Sequence, residues 1–455
     1  MAIMSSRRRR SRPCKSGGNA STNRGTPNRT DNVNALNVIH VAGTKGKGST
    51  CSFTESFLRA HSARTSCPTK TGLYTSPHLI DPEERIRINS KPLSKASLAK
   101  YFFEIYDRLP QLLTEFDPSQ APVQRGPRYL QLWALLAFHV FIREGVDAAV
   151  IETHAGGEYD ATNFVTRPVV AAVTTLGMDH IDMLGPGLDD IAWHKAGIYK
   201  AGTAALTTTQ ASSALRVLQQ RARRIGEHLR VVEEDSRLNL DLPQLAIPVQ
   251  RMNASLAAAA TEEYLSRTAS TRPVRLSAED VLVGVQQWNW PGRFQILPQG
   301  RQTWFLDAAH NDMSVALAAQ WFQQSSLALS PTAQDVMRVL IFSHINELRD
   351  ADMLLDSLVR ALKACNADIH HAIFTTYTPS RTTCVRKSPK PNDFERIWAR
   401  SMPDSQVSLT STIEEAIGIA RVLSKGTDNT HTLVTGSQSL VGPALNMLRK
   451  ATMDK

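Results

Sequence analysis

The sequence lacks the cysteine pattern of a disulfide framework, and it lacks an apolar run long enough to cross a bilayer. Its five cysteines are odd in number, scattered and without metal-ligand spacing, which favours a reducing compartment. They are Cys14, Cys51, Cys67, Cys365 and Cys384. The richest apolar segment, residues 130–142, is interrupted by Gln131 and His139. It therefore predicts a buried helix and no integral membrane segment.

Acidic residues are absent from the first 30 positions, which hold 8 of the 10 excess positive charges. These are Arg7, Arg8, Arg9, Arg10, Arg12, Lys15, Arg24 and Arg29. The remainder of the chain is close to neutral, so no basic face for nucleic acid is indicated. The Ser, Asn, Gly and Arg content of residues 1–36 predicts that this segment is a disordered basic tail. A cytoplasmic protein with a solvated tail is expected, and a mitochondrial transit segment is the alternative.

From residue 37 onward, apolar strands alternate with helical segments, as in a parallel sheet. Strands are predicted at 147–151, 168–175 and 204–208, and helices at 51–60, 188–200 and 211–226. After a Trp-Pro-Gly-Arg turn at 290–293, strands at 303–306, 338–342, 369–375 and 432–435 alternate with helices at 313–324, 351–364, 411–423 and 438–449. The 455 residues thus predict two α/β domains, 37–290 and 291–455, with a surface loop at 378–392.

A glycine-rich turn follows the first apolar strand, in the stretch VIHVAGTKGKGST at residues 38–50. Glycines at 43, 46 and 48 allow backbone N–H groups to face an anion, and Lys47 adds a positive charge. The hydroxyl arrives one residue later than in the common GxxxxGK[ST] loop. The pattern predicts a phosphate-binding loop, and a flexible loop that binds nothing is the alternative.

Polar residues stand at the carboxyl ends of the predicted strands. Glu152 ends DAAVI, Asp179 and His180 follow PVVAAVTT, and Asp307 ends FLD in the second domain. In open parallel sheets the ligand crevice lies at these ends, so distant residues can converge there. A carboxylate, an imidazole and hydroxyls near a phosphate loop could hold Mg²⁺. Singly, Glu152 could cap a helix and His180 could be an ordinary loop histidine; as a set they favour a site.

Eight segments, in order along the chain, resemble the folylpolyglutamate synthases of the Mur ligase superfamily. They are HVAGTKGKGST at 40–50, TGLYTSPHLIDPEERIRIN at 71–89, LGMDHIDMLG at 176–185, IAWHKAGIYK at 191–200, QRMNASLA at 250–257, WPGRFQ at 290–295, LDAAHN at 306–311 and VTGSQSLVG at 434–442. Their joint occurrence over residues 37–450 is far more specific than the loop alone. The resemblance implies a P-loop ATPase domain over 37–290 and a smaller, Rossmann-like glutamate-ligase domain over 291–455.

The resemblance implies ATP-dependent amide ligation, in which a folate carboxylate is phosphorylated and the acyl phosphate is then attacked by L-glutamate. Catalytic roles are implied for Lys47, His180 and Lys195, and Mg²⁺ ligands are implied at Ser76, Glu152 and His180. ATP would contact Gly43, Thr44, Lys45, Gly46, Gly48, Ser49, Thr50, Asn253, Arg293, Asp307 and His310. Lys195 matches a lysine that many relatives carry as a carbamate, and an unmodified buried lysine is the alternative. For His310, a capping or packing role is equally open.

Three positions depart from the family pattern. Thr153 and His154 follow Glu152 where the family commonly reads V-G, and Val249 stands where many relatives have histidine. A short basic tail takes the place of the family's helical amino-terminal segment. The Thr153-His154 pair and the missing helical segment motivate a second hypothesis, in which the same ligase chemistry acts on dihydropteroate or another carboxylate. A non-catalytic nucleotide-binding relative is the third hypothesis, and a monomer is expected in each case.

Overall fold

The computed structural model describes residues 29–109, 127–239, 241–269, 275–330, 336–344, 351–377 and 391–453. These residues form two compact units. One contains the described residues up to Ser76 together with Arg85–Trp288, and the other contains Pro77–Glu84 and the described residues from Asn289 onward. No helix among the described residues is long and apolar enough to cross a membrane.

The first unit is an eight-stranded sheet with helices packed on it. Its helices are α1 (Arg29–Asn34), α2 (Lys47–Thr65), α3 (Lys95–Tyr106), α4 (Tyr129–Glu144), α5 (Ile181–Leu184), α6 (Leu188–Lys195), α7 (Ser212–Arg224), α8 (Pro248–Thr268) and α9 (Ala278–Gln287). Its strands are β1 (Ile39–Ala42), β2 (Thr71–Tyr74), β3 (Ile86–Ile88), β4 (Lys91–Pro92), β5 (Ala148–Glu152), β6 (Val170–Val173), β7 (Ala204–Thr208) and β8 (Leu229–Val232).

The strand order in this sheet is β4-β3-β2-β5-β1-β6-β7-β8. The neighbouring strands β2, β5, β1, β6, β7 and β8 pair in parallel, whereas β3 pairs antiparallel with β2 and with β4. The short strands IHVA, AAVIE and VAAV are buried along their whole length, as expected for strands covered on both faces. Because β1 lies between β5 and β6, the segments that follow these three strands emerge side by side. This edge of the sheet carries the glycine-rich turn.

The second unit is a six-stranded sheet in the order β13-β12-β11-β14-β10-β9, in which the pair β9 and β10 is antiparallel and the other pairs are parallel. Its strands are β9 (Gln295–Gln299), β10 (Gln302–Leu306), β11 (Val336–Phe342), β12 (His371–Phe374), β13 (Gln406–Leu409) and β14 (Asn429–Thr435). Its helices are α10 (Asp312–Leu329), α11 (Ala351–Ala364), α12 (Pro391–Ser401), α13 (Ile413–Lys425) and α14 (Gln438–Met453).

Residues 77–84 lie between two segments of the first unit in the sequence, but they belong to the second unit. Leu79 and Ile80 pack against the hydrophobic core beneath α13 and α14. A Cβ atom built at Gly442 would lie 1.9 Å from the carbonyl oxygen of Leu79, so only glycine allows this approach. The predicted domain boundary between residues 290 and 291 stays a prediction. It did not assign residues 77–84 to the second domain.

Several local predictions need correction. Helix α4 is only partly buried, because Leu130 and Ile142 are each 38% exposed. The helix predicted at 188–200 ends at Lys195 and is followed by a single 3₁₀ turn. Helix α1 lies within the segment predicted to be disordered, while residues 1–28 and most of the predicted surface loop, 378–390, lie outside the described residues.

Candidate active site

The glycine-rich turn between β1 and α2 is held by the segment that follows β6. The backbone N–H groups of Thr44 and Lys45 donate to the carbonyl oxygen of Thr175 at 3.0 and 3.1 Å. Thr174 Oγ1 donates to the carbonyl oxygen of Lys45 at 2.6 Å. Gly46, immediately before α2, has a φ of 85°, in the left-handed region that favours glycine. These contacts shape the turn without a ligand.

The first turn of α2 supplies the hydrogen-bond donors that can face an anion. Helix α2 begins at Lys47, so the N–H groups of Lys47, Gly48 and Ser49 have no acceptor within the helix. The helix dipole adds positive potential at the same end. By contrast, the N–H groups of Thr44 and Lys45 already bond Thr175. The predicted nucleotide contacts of Thr44 and Lys45 therefore depend on their side chains.

Two lysine side chains converge on one carbonyl oxygen of this turn. Lys47 Nζ lies 3.1 Å and Lys195 Nζ lies 2.9 Å from the carbonyl oxygen of Gly43, and Lys195 Nζ also donates to Ala155 at 2.6 Å. Lys195 is only 1% exposed. Burial, with added repulsion from Lys47, lowers the pKa of Lys195 well below its usual range. An anion placed here would relieve both effects.

Glu152 and Ser76 meet at the carboxyl ends of β5 and β2. Ser76 N donates to Glu152 Oε2 at 3.0 Å, and Arg85 Nη1 donates to Ser76 Oγ at 2.8 Å. In the first turn of α2, Thr50 Oγ1 is buried and has no hydrogen-bond partner among the described residues. Mg²⁺ prefers such carboxylate and hydroxyl oxygens and keeps several waters. The side-chain oxygen atoms of Glu152, Ser76 and Thr50 are therefore of the type that binds a divalent cation.

His180 lies at the start of α5, with a φ of 53°. Its backbone N donates to Asp179 Oδ1 at 3.0 Å, and its Nε2 lies 4.0 Å from the same oxygen. Asp179 in turn lies 3.6 Å from Lys45 Nζ. Within the described part of the chain, no group of three or more His, Cys, Asp or Glu side chains could hold a metal ion. The metal-binding role of His180 stays a prediction.

Asn253, on α8, lies against the glycine-rich turn. A Cβ atom built at Gly46 would lie 2.2 Å from Asn253 Oδ1, so the amide and the turn are in direct contact. Asn253 Nδ2 donates to Gln250 Oε1 at 3.1 Å. The fold of the first unit thus brings Asn253, Lys47 and Lys195 to one turn, although they are far apart in the sequence.

Arg293, Asp307 and His310 belong to the second unit. Asp307 is 3% exposed, and its Oδ2 accepts from the backbone N of Phe294 at 2.9 Å. His310 Nδ1 lies 3.0 Å from the carbonyl oxygen of Ala308. Arg293 is partly buried beside the Trp-Pro-Gly turn. Their predicted contacts with ATP stay predictions.

A chain of polar groups beside Glu152 was not predicted from the sequence. Tyr74 Oη lies 2.8 Å from His154 Nε2, and His154 Nδ1 lies 3.2 Å from Asp160 Oδ1. Asp160 Oδ1 also accepts from the N and Oγ1 of Thr162, at 3.0 and 2.8 Å. The unusual Thr153-His154 pair pointed to this place, but the sequence does not indicate which side chains His154 contacts.

Comparison along the whole sequence decides the family. A folylpolyglutamate synthase of Neurospora crassa is 39% identical over 441 residues, which cover 92% of this chain and 82% of the relative. The chain belongs to the folylpolyglutamate synthase family. No protein-family model matches it. Membership confirms the predicted family and the predicted enzyme class, an ATP-dependent ligase that adds glutamate to folate.

Solved folylpolyglutamate synthases share the fold. A Mycobacterium tuberculosis folylpolyglutamate synthase complexed with ADP and AMPPCP is 25% identical, with a TM-score of 0.70 over 92% of this chain and 95% of that one. A Yersinia pestis bifunctional folylpolyglutamate synthase/dihydrofolate synthase, complexed with AMPPNP and a Mn ion, is 22% identical, with a TM-score of 0.68 over 92% of each chain. The predicted α/β fold class is confirmed.

In this folylpolyglutamate synthase, Gly46→Ala is expected to weaken ADP binding about tenfold or more, because a residue with a side chain is strained at positive φ and would displace Asn253. Isothermal titration calorimetry with ADP measures the effect. Gly226→Ala is the control, since Gly226 has a φ of 79° and a Cβ there would meet nothing within 4 Å. It should retain full ADP affinity. Equal affinities in the two variants would contradict the role assigned to the turn.

Proposed function

We propose that this chain transfers the γ-phosphoryl group of ATP to the γ-carboxylate of a folate or folylpolyglutamate and then joins the acyl group to L-glutamate. The convergence of Lys47 and Lys195 on the carbonyl oxygen of Gly43 carries the proposal. Two ammonium groups and a helix N-terminus at one turn form a site for a polyphosphate. A passive fold has little use for a buried lysine that bonds only neutral carbonyl groups.

In the first step, a carboxylate oxygen of the acceptor bonds to the γ-phosphorus of ATP, and the bond to the β-phosphate oxygen breaks to release ADP. The N–H groups of Lys47, Gly48 and Ser49 would hold the β- and γ-phosphates. The Lys47 ammonium, brought forward from the carbonyl of Gly43, would neutralise the charge that spreads over the transferred group. As an ammonium, Lys195 would act in the same place; as the predicted carbamate it would be an anion and would contribute to the metal site instead.

Glu152, Ser76 and the buried hydroxyl of Thr50 would hold a divalent cation, with His180 as a further predicted ligand. A bound Mg²⁺ would offset the negative charge of the phosphate groups. Arg85 supports this arrangement by donating to Ser76 Oγ, which holds the serine side chain in one orientation.

In the second step, the amino nitrogen of L-glutamate attacks the acyl carbon, phosphate leaves, and the nitrogen loses a proton. The new bond is an amide between the folate γ-carboxylate and glutamate. Exclusion of water protects the acyl phosphate from hydrolysis during this step. The contacts of L-glutamate and a monomeric state stay predictions. The proposed nucleotide contacts of Arg293, Asp307 and His310 belong to the same scheme.

A second acceptor is dihydropteroate, which the same chemistry would convert to dihydrofolate. The dihydrofolate synthase activity named for the Yersinia pestis relative favours dihydropteroate as a second candidate acceptor. The Thr153-His154 pair beside Glu152 also changes the polarity of the site from the family pattern.

An acceptor panel tests the proposal. Purified protein is incubated with ATP, Mg²⁺ and L-glutamate, plus tetrahydrofolate, dihydropteroate or an unrelated acid, and products are identified by mass spectrometry. A ladder of added glutamyl units with tetrahydrofolate alone supports the main proposal. A single addition to dihydropteroate supports the second acceptor. Phosphate release without any acceptor-dependent product contradicts both.

A further inference from the structure

We propose that His154 is a positioning residue that joins the ends of β2 and β5, so that Ser76 and Glu152 keep the spacing at which they can share a divalent cation. This inference rests on the proposed function of that pair. His154 stands where the family pattern commonly has glycine, which could make no such contact. Its side chain is 5% exposed, so it acts within the fold instead of at the surface.

Strands β2 and β5 are held together by their ladder only up to the pair Tyr74 and Ile151. Near that point, the described residues include two further bonds that join the segments. Ser76 N donates to Glu152 Oε2 at 3.0 Å, and Tyr74 Oη lies 2.8 Å from His154 Nε2. The two bonds connect the same two strand ends, within a few residues of each other. Loss of the second would remove one of these two restraints and leave the Ser76 and Glu152 contact less well supported.

The direction of each hydrogen bond follows from the chemistry of Asp160. Its carboxylate only accepts, so His154 Nδ1 carries a proton and donates to it, and Nε2 is left to accept from the Tyr74 hydroxyl. Burial alone would raise the pKa of Asp160, but hydrogen bonds from His154 and Thr162 lower it below its usual range. Asp160 also accepts from the backbone N of His154 at 2.9 Å. The imidazole is thus held in one orientation.

Tyr74 transmits this restraint to the metal pair. Its ring is fully buried in the core formed with α3 and α4, and it meets the His154 ring edge-on, with centroids 5.7 Å apart. Ser76 follows two residues later, and Thr75 N donates to the carbonyl oxygen of Arg85 at 3.0 Å. Movement of Tyr74 would therefore shift the segment that carries Ser76. Outer residues that orient ligands in this way commonly change metal affinity about 10- to 100-fold.

Two substitutions of His154 separate its two contacts. In His154→Gln the side-chain amide reaches the position of Nε2, so it can still bond Tyr74. In His154→Asn the amide reaches only the position of Nδ1, so it can bond Asp160 but not Tyr74. We expect Mn²⁺ affinity in the presence of AMPPNP, measured by electron paramagnetic resonance, to fall about tenfold in His154→Asn, His154→Gly and Tyr74→Phe. His154→Gln should stay within about threefold of wild type.

Tyr264→Phe is the matched control. Tyr264 is also a buried tyrosine, and its hydroxyl donates to the carbonyl oxygen of Asp147 at 2.9 Å, at the opposite end of β5. It should lose stability but keep Mn²⁺ affinity. Equal loss of affinity in Tyr264→Phe and Tyr74→Phe, or wild-type affinity in His154→Gly, would overturn the inference. Glu152→Gln tests the metal pair itself: if it binds Mn²⁺ as well as wild type does, the proposed metal site fails instead.

Discussion

Lys47→Ala is expected to lower the ligase turnover number about a thousandfold or more while leaving the fold intact. Lys47 lies in the first turn of α2, and its Nζ reaches back to the carbonyl oxygen of Gly43. Alanine favours the helix and leaves the backbone donors in place, so the loss comes from the missing charge. Product formation under saturating ATP gives the rate, and circular dichroism gives the fold.

Lys95→Ala is the control for this change, because Lys95 is exposed at the start of α3. It removes the same charge from the same unit and should retain wild-type turnover. Turnover of Lys47→Ala near that of wild type would remove Lys47 from the mechanism. A matching loss in Lys95→Ala would instead indicate a general effect of net charge on substrate binding.

Lys195→Met is expected to lower turnover about a hundredfold or more and yet to leave the free protein at least as stable as wild type at neutral pH. The ammonium group of Lys195 is buried, bonds backbone carbonyl groups alone among the residues that the structure describes, and faces repulsion from Lys47. Methionine fills a similar volume without the cost of burying a charge. Activity and thermal unfolding, measured on the same samples, test the two halves separately.

The stability difference should depend on pH in one direction. The pKa of Lys195 is lowered in the folded state, so between that pKa and the usual lysine value of about 10.4 the unfolded chain binds more protons. Wild type should therefore gain stability relative to Lys195→Met as pH rises through this range. Lys200→Met is the control for turnover and should keep wild-type activity, since Lys200 also donates to a backbone carbonyl, that of Gly197, but lies outside the proposed site. A Lys195→Met protein with normal turnover would contradict the role of this lysine.

Local sequence patterns predicted the helices and strands that have a clear apolar pattern or characteristic turn residues. Strand β1 and the turn after it were found because three of the four residues of IHVA are apolar and three glycines follow closely. The buried helix α8 was not predicted, since it is covered on nearly all sides and has no polar stripe to reveal a helical period. Strand β2 was also missed, because TGLY has only four residues and includes a glycine.

The candidate site, too, was predicted from the sequence only in part. Convergence at the carboxyl ends followed from the parallel order of the strands, which places the ends of β2, β5 and β1 in neighbouring positions. The bracing of the turn by Thr175, and the contact of Tyr74 with His154, depend on how side chains and loops continue beyond the ladder. No periodicity in the sequence encodes those contacts.

The sequence by itself determined the family and the α/β class, and it predicted a phosphate-binding role for the glycine-rich turn, because these depend on residue types at short, fixed spacings. Only the tertiary structure decided that Lys47 and Lys195 share the carbonyl oxygen of Gly43, and that residues 77–84 pack with the second unit. Such contacts join residues far apart in the chain, and they depend on strand register, loop path and close packing. These are properties of the folded molecule that short sequence patterns do not specify.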